Sequence, residues 1–311
     1  MRRIRYHEYG GPEVLRLEEA PEPVPAPGEL LVRTSVIGVT LPGVRRVRGD
    51  GASAPLPAVL GGEVAGRVTA VGADVTGFAV GDRVTALAFA GAYADTVVVP
   101  ATMASLVPDG AADSLAVALV RSGHVALGVL ATAAVAEHES VLVTGAASGV
   151  GHLAVQLARL AGAARVVAAV SSPAKAPFLR GLGADEVVTY DDGRWGEPVD
   201  VVLDGVGGDL LPRALAAVRP GGRLVYFASG GGTVSASDLL AGAKTVTGFA
   251  TARFAATRPD EYAAHHRRLW ELALAGRLRP AVHAELPLTA AAEAHRIIEA
   301  RANLGKVVLR P

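Results

Sequence analysis

The strongest constraint on the fold is a regular alternation of short apolar runs with helical segments between residues 140 and 249. Val- and Leu-rich runs of this length are typical of strands buried on both faces of a parallel sheet. Strands that alternate with helices form right-handed βαβ units, so we predict an α/β protein with a doubly wound dinucleotide-binding fold. The six predicted strands are 140–144, 165–170, 186–189, 200–204, 222–227 and 245–249.

The flanking regions follow a different pattern. Before residue 115, short Val-rich runs are separated by Gly and Pro, which predicts a β-rich sandwich or partly open barrel. A long apolar helix is predicted at 114–135. Beyond the alternating region we predict a helix at 259–275, with Thr257 as its N-cap and Gly276 after its end. A second helix is predicted at 289–303, capped by Thr289, and a last strand at 306–309.

Composition excludes several classes of function. The chain has no cysteine, which removes disulfides, catalytic thiols, iron–sulfur clusters and thiolate zinc sites. Thirty Lys and Arg balance thirty Asp and Glu, so we expect no general binding to nucleic acid or to an anionic membrane. No apolar signal-peptide region follows the first residues, and the longest apolar stretch is too short for a membrane span. We expect a cytoplasmic protein.

A glycine-rich loop follows the first predicted strand of the alternating region. It reads TGAASGVG (144–151) and leads into an apolar helix predicted at 152–161. Small residues let the backbone approach a pyrophosphate, and the amide groups and positive dipole end of the helix hold the anion. The loop departs from the G-x-G-x-x-G pattern at Ala146 and Ser148. We nevertheless predict a nucleotide site because alternating elements surround it.

The residues after the second strand indicate which nucleotide binds. An NAD site has a carboxylate there for the ribose 2′-hydroxyl. This chain has Ser171, Ser172 and Lys175 instead, and Tyr190 follows the third strand. Hydroxyl and ammonium groups suit a 2′-phosphate, which a carboxylate repels. We therefore predict NADPH as the cofactor.

The chain resembles the zinc-independent quinone oxidoreductases of the medium-chain dehydrogenase/reductase superfamily over nearly its whole length. The resemblance is carried by an ordered set of motifs: YGGPEVL (9–15), GGEVAG (61–66), VGDRV (80–84), GAYAD (91–95), AASGVG (146–151), LGAD (182–185), DGVGG (204–208), RPGGR (219–223) and GKVVL (305–309). It implies a GroES-like β-rich catalytic domain, a Rossmann domain, NADPH in the cleft between them and a homodimer. The expected boundaries are 1–117 and 257–311 for the catalytic domain and 118–256 for the Rossmann domain.

The resemblance also implies the cofactor contacts. Ala147, Ser148, Gly149 and Val150 are expected at the pyrophosphate, and Ser171, Ser172, Lys175 and Tyr190 at the adenosine phosphate. The ribose and nicotinamide are expected beside Val206, Phe227, Ala228, Ser229, Gly230, Phe249, Ala250, Thr251 and Asn303.

We predict no metal site. Zinc-dependent relatives carry a histidine where this chain has Gly62, and no cysteine is present. The eight histidines are scattered, and the adjacent His265 and His266 are expected not to face one site together. Glu63 is predicted to have a structural role.

The substrate half of the chain diverges from the family pattern. Thr40 takes the position of a frequent Asn, Gly43 that of an Asp and Arg45 that of a Tyr, while Val125 replaces a Thr near the nicotinamide. We assign Thr40 as a candidate catalytic group, and Thr40, Arg45, Phe89, Val125 and Phe249 to the substrate pocket. The basic segment around Arg45 is otherwise interpreted as a solvated loop. Either the substrate is specialised or hydride transfer is reduced or lost.

The predicted function is NADPH-dependent hydride transfer to a quinone or an α,β-unsaturated carbonyl, which includes a polyketide-tailoring enoyl reductase. Conjugation moves the arriving charge onto oxygen, so the protein needs to supply orientation and one donor. Two alternatives belong to other classes: an NADPH-binding sensor or structural protein without turnover, and a cyclase or isomerase that performs no net redox reaction.

Overall fold

The computed structural model describes residues 1–50 and 55–311. Its helices and strands follow the chain in an order that matches the predicted change from β-rich to alternating structure. The strands are β1 (Arg2–Tyr6), β2 (Arg16–Glu19), β3 (Glu29–Val39), β4 (Ala58–Val59), β5 (Gly62–Val71), β6 (Arg83–Ala88), β7 (Thr96–Pro100), β8 (Ala104–Leu106), β9 (Ser140–Thr144), β10 (Arg165–Val170), β11 (Glu186–Thr189), β12 (Val199–Asp204), β13 (Val218–Tyr226), β14 (Thr245–Gly248), β15 (Val282–Pro287) and β16 (Lys306–Arg310). The α-helices are α1 (Leu41–Arg48), α2 (Asp113–Ala133), α3 (Gly151–Leu160), α4 (Ala176–Arg180), α5 (Leu211–Ala216), α6 (Ala236–Gly242), α7 (Thr251–Thr257), α8 (Pro259–Leu274) and α9 (Ala291–Glu299).

The chain forms two compact units. Unit 1 comprises Met1–Arg121 and Val282–Pro311, and unit 2 comprises Ser122–Ala281. The boundaries differ from the expected ones because residues 257–281, which include α8, belong to unit 2 rather than to the unit formed by the two ends of the chain. The first boundary falls inside α2, at residue 121 rather than 117.

Unit 2 contains a parallel sheet with the strand order β11-β10-β9-β12-β13-β14. This is the predicted doubly wound order, and the bounds of β9, β10 and β11 match the prediction. The central strands are apolar and buried, with Leu142, Val167, Val202 and Leu224 in one core cluster. Because every strand runs in the same direction, the segments after all six strands lie along one edge of the sheet.

Helix α2 is the longest helix in the described part of the chain. It has 21 residues and a window of mean hydropathy 1.6, enough by length and composition to cross a membrane. Its most apolar window is 72% buried within the protein, which is typical of a core helix. Two glycines make room for side chains of unit 2: a Cβ at Gly123 would collide with Leu269, and a Cβ at Gly128 with the ring of Phe249.

Unit 1 is built mainly on antiparallel pairing. Its larger sheet has the order β15-β16-β3-β5-β6-β8, and β7 also pairs with β3. A smaller sheet has the order β2-β1-β4. Strand β3 is 11 residues long and pairs with β5, β7 and β16, so it joins the two chain-distant parts of the unit. The β-rich prediction for the first part of the chain is confirmed.

Several local predictions were wrong. The segment interpreted as a solvated basic loop is helix α1, which tolerates Pro42 because proline is accepted in the first helical turn. Neither Thr257 nor Thr289 is the N-cap that was predicted. Thr257 is the last residue of α7 and donates its hydroxyl to Arg253 O at 2.8 Å. Thr289 lies in a 3₁₀ turn before α9. Gly276 follows α8 with φ +68°, as expected for a residue that ends a helix.

A buried ion group crosses the larger sheet of unit 1. Glu63 on β5 lies opposite Gly38 on β3, where a Cβ would collide with the carboxylate. This carboxylate pairs with the buried Lys306 ammonium on β16 and, at 2.9 Å, with the Arg121 guanidinium on α2. Burial raises the pKa of Glu63, but the two cations outweigh it and lower the pKa below its usual value. The structural role predicted for Glu63 agrees with these contacts.

Removing this carboxylate charge will destabilise the protein. In Glu63→Gln the Lys306 ammonium stays buried without its counter-ion, and we expect the free energy of unfolding to fall by about 3 kcal/mol. Urea unfolding at pH 7 measures the change. Glu285→Gln is the matched control, since Glu285 pairs with Arg310 at the exposed end of the same unit, and its loss should cost no more than about 1 kcal/mol. Equal effects in the two variants would contradict the prediction.

Candidate functional site

The parallel sheet of unit 2 gathers most of the predicted cofactor residues at one edge. Each group follows the carboxyl end of a different strand, which is where ligands bind in open α/β sheets. The groups are 145–151 after β9, Ser171–Lys175 after β10, Tyr190 after β11, Val206 after β12, Phe227–Gly230 after β13 and Phe249–Thr251 after β14.

The loop after β9 is shaped for close approach of a ligand. Gly145 has φ +60°, in the left-handed region. A Cβ at Gly151 would collide with the backbone of Gly145 and Ala146, so the start of α3 packs directly on the loop. The hydroxyl of Ser148 accepts from Gly151 N at 3.0 Å, and Val150 is the residue before α3. A helix N-terminus behind a tight loop is a suitable cradle for a pyrophosphate.

Tyr190 lies at this loop. Its hydroxyl accepts a hydrogen bond from Gly145 N at 2.9 Å. The backbone oxygen of Tyr190 accepts from the Arg213 guanidinium, which stacks over the ring of Trp195 with 4.8 Å between the guanidinium carbon and the ring centroid. Sequence reasoning assigned Tyr190 to the adenosine phosphate and did not single out Arg213 or Trp195. The contacts connect Tyr190 to the first residue of the glycine loop.

The segment after β10 offers hydroxyl and ammonium groups. Ser171 and Ser172 follow the strand, and Lys175 ends a 3₁₀ turn whose N-cap is Ser172, with the Ser172 hydroxyl accepting from Ala174 N at 3.3 Å. Ser171, Ser172 and Lys175 are all half-buried. The segment contains no Asp or Glu. Its donors suit a phosphate dianion better than a ribose hydroxyl.

Asp204 joins the ends of two neighbouring strands. This fully buried carboxylate accepts from the Thr144 hydroxyl on β9 and from the backbone N of Val206 at 3.2 Å and of Gly207 at 3.2 Å. It thereby fixes Val206 relative to the end of β9. The sequence marked Asp204 only as part of a family motif, because its partners are distant along the chain.

Two aromatic residues expected at the nicotinamide pack on glycines, one at the end of a strand and one in a helix. The ring of Phe227 lies where a Cβ of Gly205 would point, and the ring of Phe249 lies against Gly128 on α2. Val125, on the same helix, is 9% exposed. Phe249 N donates to Tyr226 O at 2.8 Å, which continues the register of β13 and β14. Glycines at these two positions therefore admit aromatic rings.

Unit 1 contains the remaining predicted residues. Thr40 is the N-cap of α1, and its hydroxyl accepts from Gly43 N at 3.3 Å. Arg45 lies one turn further along α1 and is half-buried. Asn303 donates from Nδ2 to Gly305 O at 2.8 Å.

Phe89 lies at the surface of unit 1. It is 54% exposed and lines a surface cavity of about 380 Å³ together with Val59, Val97 and Pro100. Neither Thr40 nor Arg45 lines this cavity. The structure thus does not bring the predicted substrate residues of unit 1 together there.

Sequence reasoning missed a histidine cluster in unit 2. The rings of His265 and His266 both contact that of His124, with centroid distances of 6.0 Å and 4.1 Å. The expectation that these adjacent residues cannot face one site was wrong, because the ring from α2 lies against both of them. In the described ranges, no three His, Cys, Asp or Glu side chains are grouped so that they could hold a metal ion.

Comparisons with known proteins agree with this architecture. The family model for the alcohol dehydrogenase GroES-like domain matches residues 26–109, and the model for zinc-binding dehydrogenases matches residues 149–269. The two matches fall on the β-rich part of unit 1 and on the parallel sheet of unit 2.

Relatives of known name match over the whole chain. A quinone oxidoreductase of Pseudomonas aeruginosa is 34% identical over 100% of this chain and 99% of its own length. A 2-haloacrylate reductase of a Burkholderia species is 33% identical over 98% and 97%. The crystal structure of Escherichia coli quinone oxidoreductase complexed with NADPH is 31% identical, with a TM-score of 0.94 and full coverage of both chains. The chain therefore belongs to the quinone oxidoreductase family of the medium-chain dehydrogenase/reductase superfamily.

Proposed function

We propose that this chain is an NADPH-dependent, zinc-independent reductase that transfers hydride to a quinone or an α,β-unsaturated carbonyl compound. The observation that carries the proposal is the arrangement of the sheet edge in unit 2. A loop shaped for a pyrophosphate and a segment with two hydroxyls and an ammonium follow neighbouring parallel strands. The E. coli relative, of the same fold, is complexed with NADPH.

The residues present fit this cofactor. The loop at 145–151 suits a pyrophosphate because Gly145 takes a left-handed φ and Gly151 lets the N-terminus of α3 pack directly on the loop. Ser171, Ser172 and Lys175 supply donors for a 2′-phosphate, and Asn303, Phe227–Gly230 and Phe249–Thr251 are proposed along the ribose and nicotinamide. NADPH supplies the hydride when it is bound.

The protein supplies orientation and one hydrogen bond. Apolar side chains at Val125 and Phe249 exclude water from the reacting ring, which strengthens polar contacts there. We propose that the Thr40 hydroxyl contacts the nicotinamide amide or the acceptor oxygen. A hydroxyl carries one donor and two acceptor positions, so Thr40 can accept from Gly43 N and still donate its proton. Charge that reaches the acceptor oxygen is stabilised by such a donor.

A zinc ion is not needed for this chemistry, and the sequence does not provide its ligands. Gly62 stands where zinc-dependent relatives carry a histidine, and a Cβ there would approach Gly38 O to 3.1 Å. The chain also has no cysteine.

The class of acceptor is proposed from the relatives and from Arg45. A 2-haloacrylate is an α,β-unsaturated carboxylate, and a reductase of that name is among the full-length relatives. Arg45 on α1 replaces a tyrosine of the family pattern, and its positive charge favours an anionic or polar acceptor. An enoyl reductase that tailors polyketides is a variant of the same reaction.

The test is loss of absorbance at 340 nm with NADPH and a panel of quinones, enones and 2-haloacrylates. Turnover of any acceptor supports the reductase. If NADPH raises the melting temperature but no acceptor consumes it, the protein is a sensor or a structural protein, or it catalyses a reaction without net redox change. Mass analysis of candidate substrates for an isomerised product separates those alternatives.

The NADPH preference depends on Lys175. We expect NADPH to bind more tightly than NADH, and Lys175→Ala to reduce that difference by about tenfold because one cation at the 2′-phosphate is lost. Fluorescence titration with both nucleotides measures the ratio. Arg180→Ala removes an exposed cation at the end of α4 and is the matched control, with no change expected in the ratio. Equal affinities of the parent protein for the two nucleotides would refute the 2′-phosphate assignment.

The Thr40 hydroxyl is tested with two substitutions. Thr40→Val keeps the shape and removes the hydroxyl, so we expect kcat/KM for an enone to fall about tenfold or more. The Kd for NADPH should stay unchanged if the hydroxyl contacts the acceptor oxygen and should rise if it contacts the nicotinamide amide. Thr40→Ser keeps the hydroxyl and should restore most of the rate. Thr40→Val also loses the α1 cap, at a cost of about 1 kcal/mol in stability. If the melting temperature falls but kcat/KM does not, Thr40 is only a cap.

We also propose a homodimer formed through β14. This strand lies at one edge of the sheet of unit 2, and most of its residues are exposed. An exposed edge carries backbone groups that a second copy can pair with. Light scattering coupled to size exclusion should give twice the chain mass of 31.6 kDa. Phe249 N donates to β13, so the alternate residue Gly248 has its N–H at the free edge, and Gly248→Pro, which removes that donor, should shift the protein toward monomer. A parent protein that elutes as a monomer at micromolar concentration would rule out the dimer.

A further inference from the structure

A group of imidazole rings lies in unit 2 between α2 and α8, and His265 and His266 in it are half-buried. His124 on α2 is fully buried. Its ring stacks on Tyr262, with centroids 3.9 Å apart and an angle of 19°, and meets the ring of His266 edge-on at 4.1 Å and 78°. Neither ring nitrogen of His124 has a hydrogen-bond partner, and the same is true of His265 Nδ1 and His266 Nε2. We call His124, Tyr262, His265 and His266 the histidine cluster.

The unpartnered ring nitrogens of the histidine cluster lower the stability of the folded protein. A buried donor or acceptor without a partner costs about 1–3 kcal/mol, which is why such groups are rare in folded proteins. Aromatic residues at the same positions would fill the space without that cost. The imidazoles are held only by ring contacts, so nothing in the cluster compensates a positive charge on His124 or His266.

The charged groups near the cluster do not compensate that charge either. Glu261 on α8 raises the pKa of His265, but it also pairs with Arg258 at 3.4 Å. Arg121, on the same helix as His124, is paired with Glu63. Among the residues that the structure describes, the electrostatic influences on His124 are those of His266 and His265, and that on His266 is His265.

The cluster is connected to the segment expected at the nicotinamide. His265 stacks on Phe254 of α7, with ring centroids 5.3 Å apart, and Phe254 contacts Phe249 at 5.6 Å. Phe249 in turn packs on Gly128, one turn along α2 from His124. A continuous row of rings therefore runs from the cluster to Phe249, and α2 supports it at both ends.

We propose that the histidine cluster is an acid-sensitive clasp that holds α7 and α8 on α2 while its imidazoles are neutral and releases them when the cluster takes up protons. Release frees Phe249 from Gly128. The part of this inference that concerns NADPH rests on the proposed function, whereas the opening itself does not.

The direction of the pH effect follows from the pKa values of the histidines in the closed and in the open state. Burial lowers the pKa of His124 to about 2 and of His266 to about 4, and lowers that of His265. An exposed histidine has a pKa near 6.5. The open state thus binds protons that the closed state does not, and the closed state loses stability as the pH falls below about 6.5. For His124 and His266 together, the equilibrium constant for opening rises roughly 500-fold between pH 7 and pH 5.

Hydrogen exchange measures the opening. Amide protection in α8, corrected for the intrinsic effect of pH, should fall by several hundred-fold from pH 7 to pH 5. Protection in the central strand β9 reports global unfolding, which exposes the same imidazoles and should rise with acid by at least the same factor, so the proposal requires α8 to remain less protected than β9 at both pH values. In His124→Phe, which keeps the stacking on Tyr262, the fall in α8 should be about 25-fold smaller. An equal fall in α8 in the parent and in His124→Phe would overturn the proposal.

Two further measurements keep the test independent of this variant. Exchange of the C2 proton of each histidine, followed by mass spectrometry in the parent protein, should give His124 and His266 pKa values well below the value near 6.5 of an exposed histidine. Ordinary values for both would also overturn the proposal. His283→Gln is the matched control and should leave the exchange of α8 unchanged. If α8 opens as expected but NADPH affinity is the same at pH 7 and pH 5, the acid-dependent opening is supported and its connection to the cofactor is refuted.

Discussion

The structure depends on the obligatory backbone pairing of a parallel sheet that is covered on both faces. A central strand in such a sheet has no solvated face, so it must be apolar throughout, and the strands must be joined by crossover connections. Those crossovers return every strand in the same direction. In unit 2 the consequence is chemical as well as structural: the segments that follow the carboxyl ends of the strands, from Gly145 to Thr251, collect at one edge.

Unit 1 obeys a different constraint. Antiparallel strands allow close neighbours in space to be distant in sequence, and β3 pairs with strands from both ends of the chain. The buried Glu63 and Lys306 belong to those two ends, and Gly38 leaves the room for their contact. A buried charge pair adds little net stability compared with a well-packed apolar pair, whereas removal of one partner is strongly destabilising because it leaves a buried charge without its counter-ion.

The sequence predicted the fold well and the site unevenly, for physical reasons. The bounds of β9, β10 and β11 were predictable because a fully buried strand must be a continuous apolar run. The cofactor edge followed from strand direction alone. Helix α1 was missed because the basic segment around Arg45 was interpreted as a solvated loop, although Pro42 is compatible with the first turn of a helix. The histidine cluster was not predictable, since His124 and His266 are separated by more than a hundred residues and only tertiary packing brings them together.

Two glycines of α2 and the side chains that pack on them limit each other's size. Gly123 receives Leu269, and Gly128 receives the ring of Phe249. A glycine in a long helix is unfavourable by about 1 kcal/mol relative to alanine, so each is retained for the side chain it admits. If either glycine is replaced by alanine, the added methyl group leaves space only for a smaller side chain at the facing position. A large side chain at the facing position can likewise be accommodated only if the helix residue is glycine. The two pairs should therefore vary together among related chains, with position 128 accepting a larger residue only where position 249 has lost its ring.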